Sequence, residues 1–240
     1  MYLISDHFYR QDWHGAGLMT HVKQIPDAIR EKAEAHRQYR KEIPQLEGKD
    51  IRICMDEWNY WYGPHIYGEL GTRYFMRDAM GIAAGLNEYS RQSDMVFMAN
   101  YAQTVNVIGC IKTNTTSSVL DATGQVLKLY RQQFGTIPVT ITGETRPLDI
   151  AATLDSENKK LTVSVVNATW DEVKLPVKVL NGTISGDVEL WQVTAPDDMA
   201  TNEPGRPENV KIEGPVKVAS GNTLAIPPAS INLFVFSLNN

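Results

Sequence analysis

The sequence predicts an α/β unit built on a parallel sheet, followed by an all-β unit of sandwich or jelly-roll type. Short apolar runs alternate with long helical stretches up to residue 136. Beyond that point, Val-, Ile- and Leu-rich runs follow one another roughly every 10–15 residues with turn residues between them. The 240 residues, 42% of them hydrophobic, suffice for one large domain or two ordinary ones. The change of pattern near Gly135–Thr140 divides the chain into 1–136 and 137–240.

Taken in order, Tyr2–Asp6 reads as a strand. Ile25–Ile43 reads as a charged helix with Pro26 in its first turn, where proline is tolerated. Ile51–Met55 is a second strand. Gly68–Arg91 carries helical spacing, with Leu70, Tyr74, Met76, Met80, Ile82 and Ala83 as inward candidates. Met95–Ala99 is a third strand, and "GQVLKLYRQQF", 124–134, is a helix stopped by Gly135. Strands and helices in this order imply a parallel sheet, although three units do not close a barrel. In the second half "LTVSVVNAT", "VKLPVKV", "DVELWQV", "VKVASGNTLAIPP" and "INLFVFSL" read as strands, separated by Asn181-Gly182, "PDD" and "SGN". Trp191, Leu233, Val235 and Phe236 are expected in the core of this unit or at its interface.

The net charge of −5, from 28 acidic and 23 basic residues without a Lys/Arg cluster, does not resemble a nucleic-acid footprint. No run of about 18 apolar residues occurs, so no membrane-spanning helix is expected. The start "MYLISDHFYR" has neither the basic nor the apolar region of a signal peptide. Cys54 and Cys110 lie in apolar stretches and read as small buried residues of a reducing compartment, which favours the cytoplasm.

In parallel α/β barrels, reactive residues gather at the C-terminal ends of strands. His7 and Tyr9, Asp56 and Glu57, and Asn100 and Gln103 follow the three expected strands. Glu57 has the richest surroundings. In "RICMDEWNYWYGP", 52–64, Trp58, Tyr60, Trp61 and Tyr62 lie within five residues of it, and such rings could stack on sugar faces. The competing reading makes the acids ordinary loop residues and the rings packing.

"MDEWNYWY" resembles the nucleophile segment, at barrel strand seven, of the glycoside hydrolase family 51 α-L-arabinofuranosidases. "ISDHFY" is similar to strand six, "MANYAQTVNVIG" to strand eight, "ATGQVLKLYRQQFG" to the last barrel helix, and "APDDMATNEPGRPENVKI" and "LAIPPASINLFVF" to the C-terminal jelly roll. The resemblance implies a partial (β/α)8 TIM barrel over 1–136 and a β-sandwich over 137–240. It implies Glu57 as the catalytic nucleophile of a retaining enzyme. Trp61 would wall the sugar subsite, His7 and Tyr9 would surround the nucleophile, and Gln103 would contact a sugar hydroxyl. No metal or cofactor is implied. Substrates would be terminal arabinofuranosyl units of arabinan, arabinoxylan or their oligosaccharides, and a homo-oligomer is implied.

A retaining mechanism needs a second carboxyl, roughly 5–5.5 Å from the first. In the family it lies in a Gly-Asn-Glu stretch at strand four, which this sequence lacks. Asn87-Glu88 falls within an expected helix and Asn202-Glu203 in a sandwich loop, so neither follows a barrel strand; Glu69 is the remaining fallback. The acid/base and barrel strands one to five are therefore expected outside this chain, on a missing N-terminal barrel half from the same gene or another chain. Two alternatives stay open: an inactive carbohydrate-binding or structural remnant, and a retaining glycosidase of different sugar specificity.

Overall fold

Three apolar runs become a parallel sheet of β1 (Tyr2–Arg10), β2 (Ile51–Tyr60) and β3 (Val96–Tyr101), with β2 in the middle. The computed structural model describes residues 2–11, 15–65, 68, 71–180, 182–219 and 223–239. Glu69, Leu70, Asn181 and the "SGN" turn lie outside them. β1 and β2 run farther than their apolar runs suggest. His7, Tyr9, Asp56 and Glu57 therefore lie within strands rather than after them, as does Asn100, and Gln103 alone follows its strand. Ladder hydrogen bonds from a parallel neighbour carry a strand through polar positions whose side chains leave the sheet on its open face.

Leu18, Val22, Ile25, Ile29, Ala33 and His36 recur at intervals of three and four, and that buried stripe forms α1 (Leu18–Glu42). Pro26 thus sits inside the helix instead of in its first turn. A proline there removes one backbone bond, and the helix continues N-terminal to it because Leu18 and Val22 extend the buried stripe by two turns. α2 (Met76–Arg91) starts later than its pattern suggests, and Tyr74 is fully buried just ahead of it. α3 (Ala122–Gln133) is capped by Asp121, whose carboxylate accepts the Gly124 N–H at 3.0 Å. Gly135 does not stop α3 as a left-handed cap. A Cβ there would lie 2.6 Å from the Leu154 backbone, so glycine serves close approach to the sandwich.

A hairpin absent from the sequence reading, β4 (Ile111–Thr113) with β5 (Ser118–Leu120), precedes α3. The remaining strands are β6 (Ile137–Val139), β7 (Asp149–Asp155), β8 (Lys160–Asn167), β9 (Val173–Pro176), β10 (Thr183–Thr194), β11 (Lys211–Val218), β12 (Thr223–Ile226) and β13 (Ser230–Asn239). They form an antiparallel sheet in the order β11-β10-β13-β8-β7-β6 and a ribbon of β9 with β12, an arrangement consistent with a jelly roll. Its two faces are both covered. Ile150, Val163, Val165, Phe234 and Phe236 pack against Leu224 and Ile226 of the ribbon. Val166, Val193, Ile231 and Leu233 join Ile25, Trp58, Met80, Val126 and Leu129 in the core under the helices. β8 and β13 are therefore apolar on both sides and do not alternate. Val235 is buried as well, and Trp191 packs half-buried on the helical core.

α2 is the layer between the two sheets, and its glycines set how closely they approach. A Cβ on Gly81 would lie 2.0 Å from the Tyr60 hydroxyl, and one on Gly85 would lie 2.6 Å from Ile25. Tyr60 cannot step aside easily, since its hydroxyl donates to the His21 carbonyl at 2.8 Å and its ring stacks on His21 at 4.6 Å. Gly81→Ala should therefore destabilise the chain by overpacking, typically about 1–3 kcal/mol, although alanine gains about 1 kcal/mol of helix propensity. Denaturant melts of the two chains measure this, and a variant as stable as the parent would show that the contact yields.

Candidate active site

The pairing of β1 with β2 places Asp6 opposite Met55 and His7 opposite Glu57, so Asp56 is an extra residue in β2. Before this bulge, Ile53 and Met55 are buried in the helical core; after it, Trp58 and Tyr60 are. The alternation has slipped by one, and Asp56 and Glu57 both project from the opposite, open face. On β1, Phe8 belongs to the helical core and Asp6 pairs with Lys32 of α1 at 2.7 Å, which leaves Ser5, His7 and Tyr9 on the open face.

There the Ser5 hydroxyl donates to Asp56 at 2.6 Å, and the Tyr9 hydroxyl donates to the Glu57 carboxylate. The Tyr9 ring meets Trp61 edge-on, with centroids 5.2 Å apart, and the Trp61 N–H donates to the Arg10 carbonyl at 2.8 Å. His7 stands exposed beside Glu57 in register. Gln103 is exposed in the loop after β3, which Asn59 fixes through bonds of 2.7 Å to the Ala102 and Ile108 carbonyls. Among the described residues neither His7 nor Gln103 makes a side-chain hydrogen bond to Glu57. The structure thus joins Glu57, Tyr9 and Trp61 by direct contact, His7 by register alone, and Gln103 only through its place at the same strand ends.

The four rings after Glu57 do not act together. Trp58 and Tyr60 are buried at 1% and 0% exposure in the helical layer, while Trp61 and Tyr62 are half-buried at the end of β2. The packing reading holds for the first two, because the bulge turns them toward the helices. Asp56 was among the sequence candidates, whereas its partner Ser5 and the loop-fixing Asn59 were not. The one signal was a polar residue, Asn59, between the rings of a buried strand.

Neither of the other Asn-Glu acids reaches this face. Glu88 is 1% exposed and bonded to Arg30 at 3.0 Å, Arg91 at 2.7 Å and Gln92 at 2.7 Å. Burial works to raise its pKa, but Arg91, Gln92 and Arg30 outweigh burial and hold the carboxyl below its ordinary range. Glu203 pairs with Arg73 in the β10–β11 loop. A cleft of about 400 Å³ lies between the end of α2 and β6–β7, lined by Arg91, Asp94, Val139, Ile141 and Ile150, and does not include Glu57. Among the described residues no group of three or more His, Cys, Asp or Glu side chains gathers as metal ligands. No helix among them is long and apolar enough to cross a membrane. Cys54 and Cys110 are free thiols, the first buried and the second half-buried.

A carboxylate beside aromatic rings on the open face of a parallel sheet, backed by a β-sandwich, fits a glycoside hydrolase. The comparisons narrow this. The family model of the α-L-arabinofuranosidase C-terminal domain matches residues 56–230. Alpha-L-arabinofuranosidase C of Emericella nidulans is 34% identical over 176 residues, 65% of this chain and 34% of that protein. The intracellular exo-alpha-L-arabinofuranosidase of Bacteroides ovatus is 27% identical over 181 residues, 70% of this chain and 34% of that protein. The crystal structure of the Thermotoga maritima α-L-arabinofuranosidase is alike in fold over 97% of this chain and 52% of its own, with a TM-score of 0.82 at 24% identity. The chain belongs to the family 51 α-L-arabinofuranosidases, as a C-terminal portion. It spans about a third of the length of the curated relatives it matches.

Burial, the hydrogen bond to Glu57, and the charges of Glu57 and Asp56 push the Tyr9 phenol well above its ordinary range. The folded chain therefore holds this proton where an unfolded tyrosine, with a pKa near about 10, loses it. The stability this contributes is present below that value and falls as pH rises past it. In a spectrophotometric titration, Tyr9→Phe should leave the tyrosinate absorbance gained between about pH 9 and 11 unchanged. Loss of one tyrosine's share would show that Tyr9 ionises normally.

Proposed function

We propose that the chain is the C-terminal part of a retaining α-L-arabinofuranosidase with Glu57 as its nucleophile. Residues 1–136 would supply the last three strands of a (β/α)8 barrel, and residues 137–240 a jelly-roll domain. The observation that carries this reading is the aim of Glu57. The bulge turns it onto the open face, and Tyr9, itself in contact with Trp61, donates to it. Glu57 attacks the anomeric carbon, the leaving oxygen departs with a proton, and a glycosyl ester forms that water then opens. Tyr9 keeps its proton throughout, orienting the carboxylate while Trp61 excludes water from one side of the sugar. Substrates are terminal α-L-arabinofuranosyl units of arabinan, arabinoxylan or their oligosaccharides. The name of the Bacteroides relative and the two free thiols favour the cytoplasm.

The proton donor has to come from a second half-barrel, in cis or in trans. The sheet edges support such a partner, because Tyr2, Leu3 and Ile4 on β1 are 70%, 44% and 49% exposed, and Phe97 and Met98 on β3 are 49% and 41% exposed. Open, apolar parallel edges are normally covered. The confinement of Glu88 to its ion pairs favours a second reading for the chain alone, a sugar-binding unit without turnover.

Acid assistance is typically worth about 10²–10⁴-fold, and most for a sugar alkoxide leaving group. The isolated chain should therefore release no arabinose from an arabino-oligosaccharide at a useful rate. Adding the N-terminal half should restore release, and Glu57→Ala in that complete enzyme should abolish it. Robust turnover by the isolated chain would place an unrecognised donor within it.

A further inference from the structure

The β10–β11 loop of the sandwich grips the start of α2. The Ala200 and Asp198 carbonyls accept the Met76 and Arg77 N–H groups, both at 2.9 Å, supplying partners that a helix's first turn lacks. The Asp198 carboxylate takes the Arg77 guanidinium at 2.6 and 3.1 Å, with the two side chains only 13% and 20% exposed. Thr201 donates to the Tyr74 carbonyl at 2.7 Å. One residue beyond Arg77, Asp78 is fully buried and gathers three groups. These are the Phe75 N–H at 2.7 Å, the Tyr62 hydroxyl at 2.6 Å and His21 Nε2 at 2.8 Å. Thr72 donates to the Tyr62 carbonyl at 2.9 Å.

Tyr62 directly follows Trp61, and residues 61–65 belong to no helix or strand. Trp61 keeps one backbone bond to β1, through its N–H and the Arg10 carbonyl, and Tyr62 after it is held by side-chain contacts from Asp78 and Thr72. A buried carboxylate with three short, charge-assisted bonds admits little variation in geometry. A continuous line of contacts therefore runs from the sandwich loop through α2 and Asp78 to Tyr62, and from its neighbour Trp61 to Tyr9 and Glu57.

We infer that Asp78 and the Arg77–Asp198 pair are positioning residues that set Trp61 against Tyr9, the residue that holds Glu57, so that the sandwich shapes the sugar subsite without touching sugar. The functional half of this inference rests on the reading of Glu57 and Trp61 given above. The bland alternative is that Asp78 only caps α2, which its bond to Phe75 N–H would suffice to do.

Tyr62→Phe separates the two, since it deletes the hydroxyl bonded to Asp78 and leaves the cap. Hydrogen exchange of the 240-residue chain, read by mass spectrometry, should show residues 61–65 exchanging about tenfold faster or more, the scale of a lost bond to a charged group, with 76–80 unchanged. Asp198→Asn, which keeps shape and removes charge, should speed both segments. Unchanged exchange at 61–65 in both variants would overturn the inference and leave Asp78 as a cap. In the complete enzyme, Tyr62→Phe should raise KM for an aryl arabinofuranoside roughly five- to tenfold and lower kcat less, because misplacing a substrate wall by about 1 Å costs up to about 10²-fold. A loss of kcat at constant KM would argue for a merely structural role. If Glu57→Ala leaves turnover intact, the functional reading fails, while the exchange data still decide the clasp.

Discussion

Helix α2 is buried along most of its length and packs between the two sheets, on Trp58 and Tyr60 on one side and on β7, β8 and β13 on the other. Its face toward the parallel sheet must be small, which is why Gly81 and Gly85 stand where the Tyr60 and Trp58 rings arrive. Toward the sandwich, Asn87 and Arg91 bond to Asp149 of β7 at 2.8 Å each, and the Tyr130 hydroxyl of α3 donates to Asn87 at 3.0 Å. Glu88 closes the same network toward Arg30 of α1. Breaking a buried pair by removing one partner is strongly destabilising, whereas keeping it contributes little net stability. The network ties α1, α2 and β7 to one another.

This packing presents the strands of the parallel sheet to the helices on one face and leaves the other open. Within the open face, a single extra residue in β2 decides the chemistry available. Without the bulge at Asp56, continued alternation would turn Trp58 out of the core and Glu57 into it. Ser5 holds Asp56 and Tyr9 holds Glu57, so β1 secures both sides of the slip. The exposed apolar side chains on β1 and β3 lie on the edges that the half-barrel proposed above would cover.

Much of this was legible in the sequence. The apolar runs marked all three parallel strands, the later Val-, Ile- and Leu-rich runs marked antiparallel strands, and the acid-and-ring segment drew attention to Glu57, whose role is a proposal. What was not legible depends on partners distant in the chain. The slip at Asp56 exists only in the pairing of β2 with β1, and so the division of the rings into Trp58 and Tyr60 inside and Trp61 and Tyr62 outside could not be read from "EWNYWY". Pro26 looked like a helix start because local rules favour it there, and the burial of Leu18 and Val22 overrode them. Gly135 looked like a helix stop because its close approach to Leu154 is a tertiary contact. The role of the β10–β11 loop was hidden for the same reason, since its carbonyls cap a helix more than a hundred residues earlier.

The most direct measurement is the site of covalent capture. The chain, joined with an N-terminal half-barrel, is treated with a 2-deoxy-2-fluoro-arabinofuranoside bearing a good leaving group, and its peptides are mapped by mass spectrometry. One sugar esterified to Glu57, with none on Asp56, is the expected result. A sugar on another carboxylate with Glu57 unmodified would contradict the assignment on which the site is built.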